Sequence, residues 1–221
     1  MQRIVIFGAG GFGREVLQVV RDINADEQRL EVLGFLVDEA YGDAGSVQGI
    51  PMVGGIDWLA KNPGVDVVIA VGSSAARAKI AKRISERVSN QFATLVHPRA
   101  WLGRSVDIGP GSVICAGALL TTDIRIGAHV HVNIGATIGH DAFLDDFVTL
   151  NPSVNLSGRV KLGRGVEVGT GSVLIPAVEV GAWSVIGAGS VVLNSLDENL
   201  TAVGVPARVI RRRDIGWHGC D

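Results

Sequence analysis

The chain has 221 residues with a formal net charge of −2; 47% of it is apolar and 19% charged. That balance supports a sizeable buried core and excludes an intrinsically disordered chain, and nothing in it calls for DNA, RNA or an acidic membrane as partner. Glycine, at 30 residues, is about twice its usual share, a sign of tight backbone geometry recurring many times.

The start reads as strand, glycine turn, helix. Arg3 to Phe7 is an apolar run, Gly8-Ala9-Gly10-Gly11-Phe12-Gly13 is the turn, and Arg14 to Ile23 carries Val16, Leu17, Val19 and Val20 on one helical face. It has no apolar stretch followed by a cleavage site, and no later run is long enough to span a bilayer, so a cytoplasmic protein is expected. A second strand, Leu33 to Val37, ends at Asp38. A third, Val65 to Val71, ends at Gly72-Ser73-Ser74; a helix follows from Ala75 to Arg87, and a short strand near Phe92 to Val96 leads to His97-Pro98. Alternating strands and helices imply a small parallel sheet over residues 1–97, a Rossmann-like N-terminal domain.

Ligands of such sheets lie at the carboxyl ends of the strands, here the Gly8–Gly13 turn, Asp38 and Gly72–Ser74. Two readings fit the turn. Backbone N–H groups at a helix N-terminus can hold a diphosphate while Asp38 accepts bonds from a base or sugar. Alternatively, the glycines serve only close helix–strand packing. The domain is too short for the full six-stranded dinucleotide fold, which argues against hydride transfer.

Downstream a six-residue period takes over. Stepping by six from Leu102 to Val192 gives sixteen positions, all Leu, Ile or Val, and eight of the residues that follow them are glycine. The residue two before each is always Ala, Ser, Val or Ile. A period of six scatters apolar residues around a 3.6-residue helix, so a helical reading fails. The pattern is that of a left-handed parallel β-helix over residues 98–221, three short strands per triangular coil, roughly five coils in all. The fold class is therefore α/β plus all-β. Flat outer faces favour oligomers. The chain closes with Ala202 to Ala207 and a short basic tail, Arg208 and Arg211-Arg212-Arg213, which reads as solvated.

Chemistry-bearing residues are few. Cys115 and Cys220 match no metal-ligand spacing and read as reduced thiols. His97 reads as structural. His129 and His131 alternate on one strand and so share a face, but no carboxylate or thiol at ligand spacing completes a metal site, and no metal is expected. His140 stands two places past an inward aliphatic, at a corner, with Asp141 beside it and Asp145-Asp146 close behind. A carboxylate beside an imidazole fixes its tautomer and raises its basicity, which suits a general base; a bystander at a glycine corner is the alternative. Glycine corners at Gly158, Gly169 and Gly187 leave backbone N–H groups open to a developing oxyanion, unless glycine serves only the corner.

At this point the chain resembles a known family, the bacterial nucleotide-sugar acyltransferases of the bacillosamine and sialic-acid type. The resemblance rests on Gly8-Ala9-Gly10-Gly11-Phe12-Gly13, Gly34-Phe35-Leu36-Val37-Asp38, Ala70-Val71-Gly72 and His97-Pro98. It continues through the hexads, the run from Asn133 to Asp141, and the closing Gly204-Val205-Pro206-Ala207. It implies a homotrimer that moves an acetyl group from acetyl-CoA to the amine of a nucleotide-linked 4-amino-sugar. By resemblance His140 matches the general base, Asp141 its acidic neighbour, Asn133 a polar active-site residue, and Gly158 the N–H that meets the acetyl carbonyl. Gly10, Gly11, Phe12, Asp38 and Gly72 match nucleotide-sugar contacts, and the coenzyme is expected in the groove between neighbouring β-helices near Thr170, Gly187 and Ala188. Phe12 stands where many relatives carry His, and Thr149 where some amino-sugar enzymes have a second His; both bear on which sugar is used. O-acetylation of a sialic-acid-type sugar and a non-catalytic trimeric scaffold are the competing readings.

Overall fold

The computed structural model describes residues 1–38, 45–89 and 91–219; Cys220 lies outside them. In the N-terminal domain β1 (Gln2–Phe7) sits between β2 (Leu30–Leu36) and β5 (Asp66–Ile69), all parallel. Their inner residues are apolar on both sides because helices cover both faces. Ile4, Val5 and Ile6 are wholly buried between α1 (Gly11–Asp26) on one side and α2 (Ile56–Ala60) with α3 (Ser74–Arg87) on the other. A hairpin unforeseen in the sequence, β3 (Ser46–Val47) and β4 (Ile50–Gly54), extends the sheet beyond β2.

The strand expected near Phe92 to Val96 does not join this sheet as a whole. Phe92 bridges to Val67, but β6 (Leu95–Val96) pairs in parallel with Val113–Ile114. Leu95 N–H donates to Ser112 O and His97 N–H to Ile114 O, each at 2.9 Å, so the first coil of the β-helix starts here.

From β7 (Trp101–Leu102) to β22 (Val191–Val192) run sixteen short strands, each carrying one of the hexad aliphatics. They stack into three parallel sheets of a left-handed β-helix, every strand paired with those one coil away. The aliphatics point inward; Leu120, Val132, Ile138, Leu144, Leu150 and Leu162 are fully buried in one continuous core.

Alternation along a strand sends the preceding residue outward, and the three outer faces differ. Face 1 presents Val113, His131, Thr149, Glu167 and Val185, and the N-terminal domain sits on it. Face 2 presents Trp101, Leu119, Thr137, Asn155, Val173 and Val191, with Trp101 and Leu119 exposed. Face 3 is a ladder of Asp107, Arg125, Phe143, Lys161 and Glu179, charged at every rung but Phe143.

The arginine-rich end is not a tail. After β23 (Leu200–Val203), β24 (Arg208–Arg212) folds back antiparallel and pairs with it, although all five of its residues remain exposed. The turn over Gly204 to Ala207 reverses the chain, so the arginines add a strand to face 1's sheet.

Candidate active site

The N-terminal pocket is built by the strand ends. Gly13 lies where any Cβ would run into the carbonyl oxygen of Gly8, so α1 can dock tightly on β1 only through glycine. That docking leaves α1 with Gly10 as its N-cap and no side chain capping its first N–H groups. A cavity of roughly 620 Å³ opens there, and Gly10, Gly11, Phe12, Asp38 and Gly72 all line it. The five positions singled out in the sequence thus converge. The cavity's other walls are apolar, including Val47, Met52 and Ile80. Asp38 accepts a hydrogen bond from Arg83 at 2.8 Å.

His140 lies at the corner between faces 2 and 3. Asp141 adopts φ +58°, a left-handed geometry Asp tolerates. The corner backbone is tied to both neighbouring coils: Asp141 N–H donates to Thr122 O, and Arg159 N–H donates to His140 O. His140 Nδ1 is 2.7 Å from Asp141 Oδ2, with the two side chains 60% and 58% exposed. If Nδ1 donates to the carboxylate, the lone pair of the neutral ring falls on Nε2.

Nε2 lies over Gly158, one coil above. A Cβ on Gly158 would stand 2.5 Å from it, so the ring occupies space that only glycine leaves. Among the described residues Gly158 N–H donates to no backbone acceptor, whereas Gly169 N–H donates to Ile186 O and Gly187 N–H to Ala202 O. The sequence reading of three open corners therefore holds for Gly158 alone. Gly169 and Gly187 directly follow an inward aliphatic, where N–H still belongs to the sheet ladder; Gly158 is one residue further, past the last rung.

Asn133, Thr170, Gly187 and Ala188 stand in a different column, the corner between faces 1 and 2. Asn133 is buried and its Nδ2 donates to Leu150 O at 2.8 Å. Within one chain it is separated from His140 by the width of face 2, a span of seven residues, or roughly 20 Å of strand. The structure brings the nucleotide-pocket residues together and joins His140, Asp141 and Gly158, but it does not bring Asn133 or the coenzyme positions to His140 within a single chain.

The remaining histidines differ from one another. His97 Nε2 meets Asp22 at 2.8 Å and its Nδ1 accepts from Arg99 N–H, a structural role. His129 and His131 do not share a face. His129 sits in a corner at φ +56°, stacked on Phe147, while His131 faces outward beneath Phe12 with Nε2 on Ile69 O. Burial, reinforced by the nearby Arg77 charge, lowers His129 to about 4 and puts His131 well below its usual value. Among the described residues no group of three or more His, Cys, Asp or Glu side chains converges as a metal set.

One cluster has no signal in the residue pattern. Arg77, fully buried on α3, donates to the carbonyls of His129, Val71, Gly72 and Phe147 and to Thr149 Oγ1. Burial lowers its pKa to about 9, which leaves it cationic at neutral pH.

Comparison with known proteins agrees with this architecture. A family model described as the PglD N-terminal domain matches residues 3–84. The acetyltransferase domain of PglB from Neisseria gonorrhoeae superposes with a TM-score of 0.85 at 30% identity, over 95% of this chain and 100% of that one. The chain belongs to this family of hexapeptide-repeat nucleotide-sugar acetyltransferases. Another similar member is the GDP-perosamine N-acetyltransferase of Escherichia coli O157:H7, 29% identical over 94% of this chain and 96% of that protein. PerB from Caulobacter crescentus, solved in complex with CoA and GDP-perosamine, superposes with a TM-score of 0.85 at 29% identity, over 95% of this acetyltransferase and 97% of that one. This acetyltransferase spans less than half the length of the serine acetyltransferases it also matches.

Proposed function

We propose that this acetyltransferase moves an acetyl group from acetyl-CoA to the amine of a nucleotide-linked 4-amino-sugar, with residues 1–97 holding the nucleotide sugar and residues 98–221 carrying the transfer. One observation carries the reading: His140 Nε2 lies against Gly158, whose N–H has no backbone acceptor among the described residues, while Asp141 holds the other ring nitrogen at 2.7 Å. Nε2 takes the proton as the amine attacks the thioester carbonyl. A C–N bond forms, the C–S bond breaks, and the proton passes to the departing thiolate. Gly158 N–H donates to the carbonyl oxygen as negative charge gathers on it.

The reacting groups come from two chains of a homotrimer in this reading. Face 1 is covered and face 3 sets charged residues on both sides of its one exposed Phe143, which leaves face 2 and its flanks, with Trp101 57%, Leu119 45% and Ile134 51% exposed, to be buried between copies. Contact through face 2 sets the corner column of Asn133, Thr170, Gly187 and Ala188 of one chain beside the His140 corner of the next, with acetyl-CoA in the crevice. Gly10, Gly11, Phe12, Asp38 and Gly72 hold the nucleotide at the free end of α1, where a diphosphate gains from the helix dipole. No helix among the described residues is long and apolar enough to cross a membrane; the cytoplasm is the proposed location.

The test is H140A, assayed with acetyl-CoA and GDP-perosamine by thiol release. General-base help contributes roughly 10²–10⁴-fold. A fall in kcat/KM of that size is expected, and less than about tenfold would reduce His140 to a positioning group.

A further inference from the structure

Face 1 carries three polar residues in register, one per coil: His131 opposite Thr149, and Thr149 opposite Glu167. None lines the nucleotide cavity, yet each holds a part of its rim. His131 bonds Ile69 O at the end of β5, and its ring lies 4.7 Å from the ring of Phe12, which lines the cavity. The Thr149 hydroxyl has three partners: it donates to Gly72 O at 3.3 Å and accepts from Arg77 at 2.9 Å, with Ser74 Oγ at 3.0 Å. One donor and two lone pairs are all a hydroxyl has, so the Thr149 hydroxyl is saturated. Glu167 Oε1 accepts from Ser74 N–H at 2.6 Å at the start of α3, and its charge opposes the buried cation of Arg77.

Arg77 joins the ladder to the pocket. Its Nη1 holds Val71 O and Gly72 O, its Nη2 holds Phe147 O and Thr149 Oγ1, and its Nε holds His129 O. The cavity wall at Val71 and Gly72 and two successive β-helix coils are therefore fixed on one guanidinium. A planar fork of five donors, all buried, leaves little freedom for the segment it grips.

We infer that the His131–Thr149–Glu167 ladder and Arg77 form a positioning network that sets the shape of the nucleotide-sugar pocket from the surface of the β-helix. The inference rests on the proposed function for the identity of the ligand. None of the four lines the cavity; they act through Phe12, Gly72 and the first turn of α3. The network leaves the coenzyme crevice alone in this inference, since its side chains turn toward the N-terminal domain and bond none of Asn133, Thr170, Gly187 and Ala188 among the described residues.

The discriminating variants are T149V, which keeps the shape of the side chain and removes the hydroxyl, T149S, which restores it, and E167A at a less buried rung. Calorimetry with GDP, UDP and CoA on the full-length protein reads the effect. The expected result is a loss of nucleoside-diphosphate affinity of at least about threefold in T149V and E167A, the scale of a lost hydrogen bond. T149S should bind the nucleotide like wild type, and CoA affinity should be unchanged in all three. Nucleotide affinity equal to wild type in both T149V and E167A would overturn the inference, and so would an equal loss of CoA affinity, which marks general damage. If wild type binds neither nucleotide, the functional reading fails separately. The network is then read by amide hydrogen exchange: faster exchange over residues 70–76 in T149V and E167A, with residues 137–144 unchanged, upholds it, and identical exchange refutes it.

Discussion

Gly158→Ala probes the geometry at the proposed reacting centre with a single methyl group. Gly158 has no left-handed φ, so alanine strains no backbone there. The new Cβ would meet His140 Nε2 at 2.5 Å and Cε1 at 2.7 Å, and no other atoms lie closer than the same ring. Ordinary contact begins at about 3.5 Å, so the imidazole must retreat by roughly 1 Å. The ring is 60% exposed and free to swing outward. Stability is therefore expected to change by less than about 0.5 kcal/mol, as for a surface substitution. Activity is another matter, because a misplacement of about 1 Å at a reacting group can cost on the order of 10²-fold. The expected outcome is a fall in kcat/KM of about 100-fold in the thiol-release assay, with the melting temperature nearly unchanged. The G158A/H140A double variant should match H140A alone, since the methyl acts only through the ring. A G158A enzyme within about threefold of wild type would refute the reasoning, because the base would then tolerate displacement.

Two further predictions concern stability and assembly. His129 titrates near 4 in the folded chain against 6.5 when unfolded, chiefly because burial disfavours its charged form. Between those values the unfolded chain binds a proton that the folded chain refuses, so stability is full above pH 6.5 and is lost as pH falls toward 4. Denaturant titrations should show a loss of about 2 kcal/mol from this group by pH 5; a midpoint that stays constant from pH 7 to 5 would contradict it. Leu119→Asp, at an exposed position on face 2, is expected to give folded monomers without transferase activity. Sedimentation showing an intact trimer of this variant would remove face 2 from the interface.

What the sequence made legible follows from how strictly each element constrains its residues. An inward position of a narrow prism accepts only aliphatics, so a period of six over sixteen hexads announces the fold without ambiguity. The helix–strand docking at Gly13 and the open corner at His140 were legible for the same reason, each demanding a particular residue type. The β3–β4 hairpin escaped notice because its turn places Gln48 at φ +51°, where Asn or Gly would have been the recognisable signal. His129 appeared to belong to a strand because hexad spacing does not say which residue turns left-handed. Arg77 was invisible as an anchor. In a helix that also carries Lys79, Lys82, Arg83 and Arg87 it reads as one more solvated cation, and only the seat of α3 against two β-helix coils buries it.

The separation of Asn133 from His140 yields the sharpest test of the assembly. The hexad register fixes Asn133 at the corner entering face 2 and His140 at the corner leaving it, so no rearrangement within a prism can join them. If both serve one reaction, they must come from different copies across a crevice. Mixed trimers separate the cases. H140A chains and N133A chains, each inactive alone, are unfolded together and refolded at equal concentration. A crevice that takes its imidazole from one chain type and its amide from the other is whole, and random assembly makes about one crevice in four of this kind. Recovery of about a quarter of wild-type activity is expected, and it should vanish when L119D is placed in both chains. A site confined to one chain regains nothing on mixing, because every chain then lacks one of its two residues. No recovery from correctly refolded trimers would therefore exclude the shared crevice while leaving the β-helix, the nucleotide pocket and the His140–Asp141 pair as they stand.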